Sequence, residues 1–487
     1  MQSLKTSLAR IPAGSGVLFF VQMFSTLGYA VLQSSLVLYV TQRLGFNNEQ
    51  AALMMGLFGA FNYGLHLFGG YLGGRFLSNR NLFIGGMVLQ VFGCAAIAGG
   101  SLDGLYLGLA LFLTGSGLNV TCLNMMLTQR FEPEDPRREG AFLWNYAGMN
   151  LGFFIGYAVA GHYQLDQRYS ALFWFATVGN AVAILFTLAY WNRLADLRTP
   201  LLQAGRRAFW GRFAVGVAIL VGLVPVLDGL LRHPADTALG MKAFCALVAL
   251  GLIGLTWRHP VVAERQRMQA FLALTLGSLV FWSLYQMAPS GLQLFAVGNV
   301  RLEVLGMTIA PQWVQNINTV VIVIGGPLLA GWFTRLRGCG WPVDVPQQFA
   351  ASLLLMGLGF LALPLGIQLA APDGRVAFEW LALSYGLQSV GELLISPIGY
   401  AMVGRLAPPQ HQGLMMGSWM LVSGLASLFA GDFSGWVAQP VDGSPLTSNP
   451  AYSTLFTQLG VGSLVTGAVL LALRPWLRRL IGGAERA

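Results

Sequence analysis

Five polar side chains, Gln22, Ser25, Thr26, Tyr29 and Gln33, sit inside an apolar run at offsets 0, 3, 4, 7 and 11. The same offsets recur far downstream, at Tyr385, Gln388, Ser389, Glu392 and Ser396. At helical periodicity each set lies on one face of one helix. Shorter versions occur at Asn145, Tyr146 and Asn150, at Tyr285 and Gln286, and at Gln315 and Asn318. As interhelical hydrogen bonds, such groups would contribute about 1 kcal/mol or less each. Faces from both halves of the chain point instead to a polar central cavity, because polar side chains in apolar spans turn toward a bundle interior or water. Glu392 is the sharpest feature. It falls near the middle of its run, where a carboxylate is costly unless protonated or paired, and no Lys or Arg lies near mid-depth in any run. It is therefore a candidate substrate or proton site. His66 is the only His well inside a run, and packing or hydrogen bonding accounts for it. There are no paired carboxylates, no His cluster and no nucleophile motif, which argues against an enzyme. Cys94, Cys122, Cys245 and Cys339 show no metal-ligand spacing, so neither metal nor other cofactor is expected.

The elements that must carry these faces follow from composition. Of 487 residues, 55% are hydrophobic and only 10% are charged, against roughly a quarter charged in a soluble domain. The apolar residues fall in runs long enough to cross about 30 Å of hydrocarbon. Fourteen spans can be read, at 15–42, 51–74, 81–100, 104–129, 141–163, 169–191, 209–231, 236–257, 268–296, 311–334, 348–370, 377–404, 411–437 and 451–473. The first is too long for a signal-peptide core and lacks a cleavage pattern. The net charge of +9 does not imply a nucleic-acid partner. With a cytoplasmic N-terminus, only six of the 28 Lys and Arg face the other side: Arg43, Arg168, Arg232, Lys242, Arg301 and Arg375. That bias is the positive-inside rule, and it puts both termini in the cytoplasm. The expected setting is a bacterial inner (plasma) membrane, the lipid bilayer being the surrounding partner.

The fourteen spans divide as six, two and six. A long basic connection, 192–212, closes the first six, and a second, 258–267, opens the last six. The expected parts are an N-terminal six-helix bundle at 14–194, a linker with two inserted helices at 195–266, and a C-terminal six-helix bundle at 267–476. In the insert, Asp228 and Arg232 stand four apart, an ordinary helical pair. Two pseudo-symmetric bundles suit alternating access around a central site.

With these residues in view, the chain resembles the proton-coupled oligopeptide transporter (POT, or PTR) family of the major facilitator superfamily. The most specific patch is Gly391-Glu392-Leu393-Leu394-Ile395-Ser396-Pro397, followed by Leu406-Ala407-Pro408 and Met416-Gly417-Ser418-Trp419. It is similar to the family's ELxxSP helix and its MGxW continuation. Asp135-Pro136-Arg137-Arg138, with Asn150-Leu151-Gly152 after it, resembles the family's DPRR loop and NLG helix. Phe281-Trp282, the stretch from Gln315 to Pro327, and Leu36-Val37-Leu38-Tyr39 match more loosely. The resemblance implies an all-α, polytopic major facilitator fold with 14 transmembrane helices arranged 6+2+6, as in the bacterial members.

The departures from the family carry chemistry. Its first helix bears ExxERF with another Arg further along. Here the aligned stretch is Gln22-Met23-Phe24-Ser25-Thr26-Leu27, with Gln33 at the later Arg. The fourth-helix Lys aligns with Val120, an acidic residue of the first helix after the insert with Gln286, and the Asp after the second span with Gly74. The N-terminal half thus lacks the cations that, by resemblance, would hold a peptide carboxylate and couple protons. Asn318, Glu392, Ser396 and Trp419 survive where the family holds the peptide amino end, and Tyr29, Tyr63 and Asn150 survive as well. The resemblance thus implies a substrate site drawn from Gln22, Thr26, Tyr29, Gln33, Tyr63, Asn150, Gln286, Asn318, Glu392, Ser396 and Trp419. Glu392 is the remaining proton-coupling candidate. The expected ligand is a small peptide-like or amine-bearing molecule, moved by a secondary transporter acting as a monomer. Multidrug or natural-product efflux, and a non-transporting sensor with the same fold, are the rival readings.

Overall fold

The computed structural model describes residues 14–132, 135, 137–197, 199–340, 344–437 and 444–482. Fourteen helices of 20 to 29 residues dominate it. Twelve long helices are also apolar enough to cross a membrane, by length and composition. The two left out of that set are Arg137–Leu165 and Phe378–Leu406. These two carry Asn145 and Asn150 in one case and Gln388 and Glu392 in the other, so their polar faces lower their mean hydropathy.

The helices are α1 (Ser15–Gln42), α2 (Asn48–Leu72), α3 (Asn79–Ala98), α4 (Leu102–Thr128), α5 (Arg137–Leu165) and α6 (Tyr169–Ala189). The inserted pair is α7 (Arg206–Arg232) and α8 (Pro234–Arg258). Then come α9 (Val262–Tyr285), the short α10 (Gly291–Asn299), α11 (Pro311–Gly338), α12 (Val345–Gln368), α13 (Phe378–Leu406), α14 (Gln412–Gly435), α15 (Pro445–Ala472) and a final short α16 (Arg474–Gly482). Between α10 and α11 a two-residue antiparallel hairpin pairs Glu303 with Thr308 and Val304 with Met307. The ends obey local chemistry. Ser78, Ser101 and Asp344 accept hydrogen bonds from the backbone N–H groups of Asn81, Gly104 and Gln347, capping α3, α4 and α12. Gly100 stops α3 at a φ of 72°, a left-handed conformation that glycine adopts without steric penalty.

One expected span is two helices. Residues 268–296 break at 286–290, where Pro289 removes a backbone donor and disfavours a helical residue before it. Hydropathy alone runs straight through this break because four of its five residues, Met287, Ala288, Pro289 and Ser290, are apolar or small.

By packing, the chain forms two units: residues 1–45 with 61–234, and residues 46–60 with 235–487. Helix α2 therefore contributes its first part to the second unit and its remainder to the first. In the first unit, Tyr39, Phe83, Phe112 and Phe173 are fully buried, and the Tyr39 hydroxyl donates to the Ile97 carbonyl at 3.1 Å. Helices α1 and α5 meet along Gly148, Gly152 and Gly156. A Cβ at Gly152 would run into the Met23 carbonyl oxygen, and one at Gly148 would lie 2.6 Å from that of Phe19. This is the small-xxx-small approach that membrane helices use to pack. Helix α7 joins this unit. Arg232 pairs with Asp228 at 2.9 Å, as its spacing predicts, and also with Asp103 of α4 at 2.9 Å. In the second unit, Phe281, Phe295, Phe349, Phe360 and Phe456 are fully buried. Gly56 of α2 and Gly431 of α14 lie close enough that a Cβ on either would press on the other's backbone.

Candidate functional site

The second unit contains the only carboxylate of the two long polar faces. Glu392 is half-buried on α13, and its Oε2 accepts from Asn318 Nδ2 of α11 at 2.7 Å. The same amide group donates to Ser389 Oγ at 3.1 Å. The Tyr285 hydroxyl, at the end of α9, also hydrogen-bonds the Glu392 side chain. Three helices thus converge on one carboxyl group, and among the described residues no Lys or Arg pairs with it. A carboxylate held only by neutral donors keeps its charge available for a cationic ligand or a proton. Pro397 follows on the same helix and removes the backbone bond that would reach the Leu393 carbonyl.

The rest of the α13 face is engaged locally. Ser389 Oγ donates to the Tyr385 carbonyl at 2.7 Å, Gln388 to Ser384 Oγ at 2.9 Å, and the Tyr385 hydroxyl to the Ala288 carbonyl at 3.2 Å. Ser396 is half-buried one turn beyond Glu392. Gln286 is buried beside Tyr285 and caps the end of α9, its N–H bonding the Trp282 carbonyl at 2.9 Å. Gln315, one turn before Asn318, is buried with its Nε2 unpartnered among the described residues. Trp419 is different in kind. It is 5% exposed, its ring lies where a Cβ at Gly399 of α13 would run into it, and its ring centroid is 6.5 Å from that of Phe349. These contacts give it a packing environment.

In the first unit the α1 face separates into two clusters. Gln22 Nε2 donates to Thr26 Oγ1 at 2.9 Å, Ser25 Oγ to the Gln22 carbonyl at 3.0 Å, and Asn145 Nδ2 to Gln22 Oε1 at 3.4 Å. Three turns on, Tyr157 OH donates to Gln33 Oε1 at 3.0 Å, and Tyr29 lies near both Tyr157 and Tyr63. Tyr63 in turn packs edge-on to His66, with ring centroids 5.7 Å apart. Asn150 belongs to neither cluster; it is buried and donates to the Tyr146 carbonyl of its own helix at 2.9 Å. Val120, at the position aligned with the family's Lys, is exposed at 38%. Every polar partner in these two clusters is neutral.

Three pairings are not legible in the sequence. The spacing marks Tyr285 only as part of a short polar pair, yet its hydroxyl reaches Glu392. Nothing in the spacing marks Tyr157 as the partner of Gln33. Asp432 pairs with Lys242 of α8 at 2.6 Å, both half-buried. A signal was present, since Lys242 and Lys5 are the only lysines. Of the DPRR-like loop, Asp135 and Arg137 form a bidentate pair with the nearest approach 2.7 Å, while Pro136 lies outside the described residues. Among the described residues no group of three or more His, Cys, Asp or Glu could hold a metal ion.

Comparison with known proteins agrees with this architecture. A family model described as PTR2, POT family, matches residues 80–448. Dipeptide and tripeptide permease A of Escherichia coli (strain K12) is 30% identical over 489 residues, covering 98% of this chain and 95% of the relative. The permease of the same name from Chromobacterium violaceum is 31% identical over 487 residues, covering 97% and 94%. Among solved structures, a peptide transporter POT in complex with sulfate superposes with a TM-score of 0.84 at 26% identity, covering 96% of each chain. A mutant form of a peptide transporter POT in complex with alafosfalin gives 0.84 at 27% identity with the same coverage.

Proposed function

The chain belongs to the POT family, and from that premise we propose that it is a transporter of small peptides, or of peptide-like and amine-bearing solutes, whose carboxyl end is blocked or absent. It is a multi-pass membrane transporter and not an enzyme. The observation that carries the substrate reading is the contrast in charge between the polar faces. Glu392, held by Asn318 and Tyr285, offers a negative group to an ammonium. Thr26 and Gln33 offer only neutral groups where the family holds arginines, and Gln22 is neutral where the family holds a carboxylate. Without those cations there is no electrostatic reason to bind an anionic terminus, and a buried carboxylate would lose its hydration unpaired.

In this reading the bundles 14–194 and 267–476 alternate access, with 195–266 as linker and insert. Glu392 and Asn318 hold the amine, and Ser396, Gln286 and Trp419 line the remainder of that side. Gln22, Thr26, Tyr29, Gln33, Tyr63 and Asn150 face the rest of the solute. The family's usual proton-coupling site is lacking, and Glu392 takes any proton that moves. The protein works as a monomer in the bacterial inner membrane with both termini in the cytoplasm, as the basic-residue bias implies.

The test is uptake and thermal-shift binding of free dipeptides beside their C-terminal amides, in reconstituted vesicles. The amides are expected to bind at least about tenfold more tightly, the scale of one unpaired buried charge. Tight binding and uptake of several free dipeptides would sink the reading.

A further inference from the structure

Only Leu473 separates the end of α15 from the start of α16, so α16 starts where the last span must leave the hydrocarbon. Its nine residues, RPWLRRLIG, are sorted by face. Leu477 and Leu480 are buried, at 0% and 7% exposure, while Trp476, Arg478 and Arg479 are exposed. The buried leucines hold the helix against α9 and α12 within the second unit.

Acidic groups nearby are already committed. Asp344 caps α12 through Oδ1, and its Oδ2 is shared by Arg474 Nε at 2.9 Å and Arg478 Nε at 3.2 Å. Glu264, in the first turn of α9, is engaged by Gln410 and His259. One carboxylate facing two guanidinium groups leaves an excess of positive charge. Arg479 has no acidic partner among the described residues, and Arg265 and Arg267 on the first turns of α9 add to the excess. Trp476 and Arg479 stand three apart, so indole and guanidinium share the outward face.

We infer that α16 is a membrane-surface site for anionic phospholipid, in which Arg478 and Arg479 take headgroup phosphate and Trp476 seats at the boundary between headgroup and acyl chain. Three observations favour lipid over a soluble anion. The helix continues directly from a span, an aromatic side chain suited to that boundary sits among the arginines, and the apolar side is already docked on the protein. The inference is independent of the substrate reading.

The full chain, purified in neutral detergent, would be titrated with phosphatidylglycerol and with phosphatidylcholine. Bound lipid would be read by native mass spectrometry and stability by melting temperature. Preferential retention of phosphatidylglycerol is expected, with the preference falling as salt rises. Each guanidinium removed should weaken it about fivefold, so Arg478→Gln with Arg479→Gln should nearly erase it. Arg479→Gln alone leaves the Asp344 pairs intact and so separates lipid binding from folding, with the size-exclusion profile as control. The two Lys replacements should retain the preference, and Trp476→Ala should weaken binding of both lipids. Equal retention of the two lipids by the wild type, or an unchanged preference in Arg479→Gln, would overturn the inference. So would displacement of the lipid by inorganic phosphate at millimolar concentration, which would mark a simple anion site.

Discussion

Helices α1 and α13 carry polar residues at identical spacing, yet the two faces are chemically unlike. On α1 the side chains satisfy one another or neutral neighbours: Gln22 with Thr26 and Asn145, and Gln33 with Tyr157. On α13 the matching row contains one carboxyl group, drawn into contact with α9 and α11 by Tyr285 and Asn318. Spacing decides only that a face exists. What the face can bind depends on whether an ionisable group survives on it and on what its neighbours leave unneutralised. That difference in charge between the two faces is what the proposed substrate reading rests on.

The sharpest way to break this comparison is Glu392→Gln, which keeps size and hydrogen bonding and removes the charge. If the carboxylate holds an amine, transport and amine binding should fall by about 10- to 100-fold, the scale of a hydrogen bond to a charged group. Expression and the size-exclusion profile should stay near normal, since a neutral side chain at mid-membrane is not costly. Transport at the wild-type rate would make Glu392 a structural acid and remove the asymmetry.

Packing should respond next. Gly152→Val in the first unit would drive a side chain into the Met23 carbonyl, and Gly357→Val in the second would meet the Gly460 carbonyl 2.7 Å away. Each should cost roughly 1–3 kcal/mol and lower the melting temperature. Gly64→Ala, with open space around it, should not. Equal effects at all three positions would show that the close helix approaches contribute nothing.

A finer comparison sets Tyr285→Phe against Tyr157→Phe. Both remove one hydroxyl from a polar face, but only Tyr285 bonds the carboxylate. Tyr285→Phe should weaken amine binding by roughly five- to tenfold. Tyr157→Phe should cost about 1 kcal/mol or less of stability and leave affinity near wild type. Thermal-shift titration of both variants with one amine ligand would decide it, and equal affinity losses would contradict the asymmetry.

The smallest effect belongs to the exposed loop. Hydrogen bonds from Arg137 hold the Asp135 carboxyl down at about 2. Because that value is depressed, any stabilisation is complete above about pH 4 and lost as pH falls toward 2. Asp135→Asn should therefore leave the melting temperature indistinguishable from wild type between pH 5 and 8, since solvent screens such a pair. A clear loss in that window would mean the pair is anchored by neighbours as well.

The sequence by itself determined the medium, the helices and the faces. Hydropathy located thirteen of the fourteen long helices to within a few residues, because crossing a bilayer imposes one length and one polarity on every span. Helical periodicity likewise put Gln22 with Gln33 and Tyr385 with Ser396 on shared faces, since that depends only on residues along one helix. Tertiary structure decided everything that required two helices. The fall of Asn318 and Tyr285 on Glu392, the capture of Asp432 by Lys242, and the burial of Trp419 against Gly399 are contacts between elements remote in sequence. So is the division of α2 between two units, which no local property of Asn48–Leu72 announces. The break at 286–290 lay between the two cases. Pro289 marked it locally, but the surrounding residues are as apolar as a span, so hydropathy could not register where the helix ends.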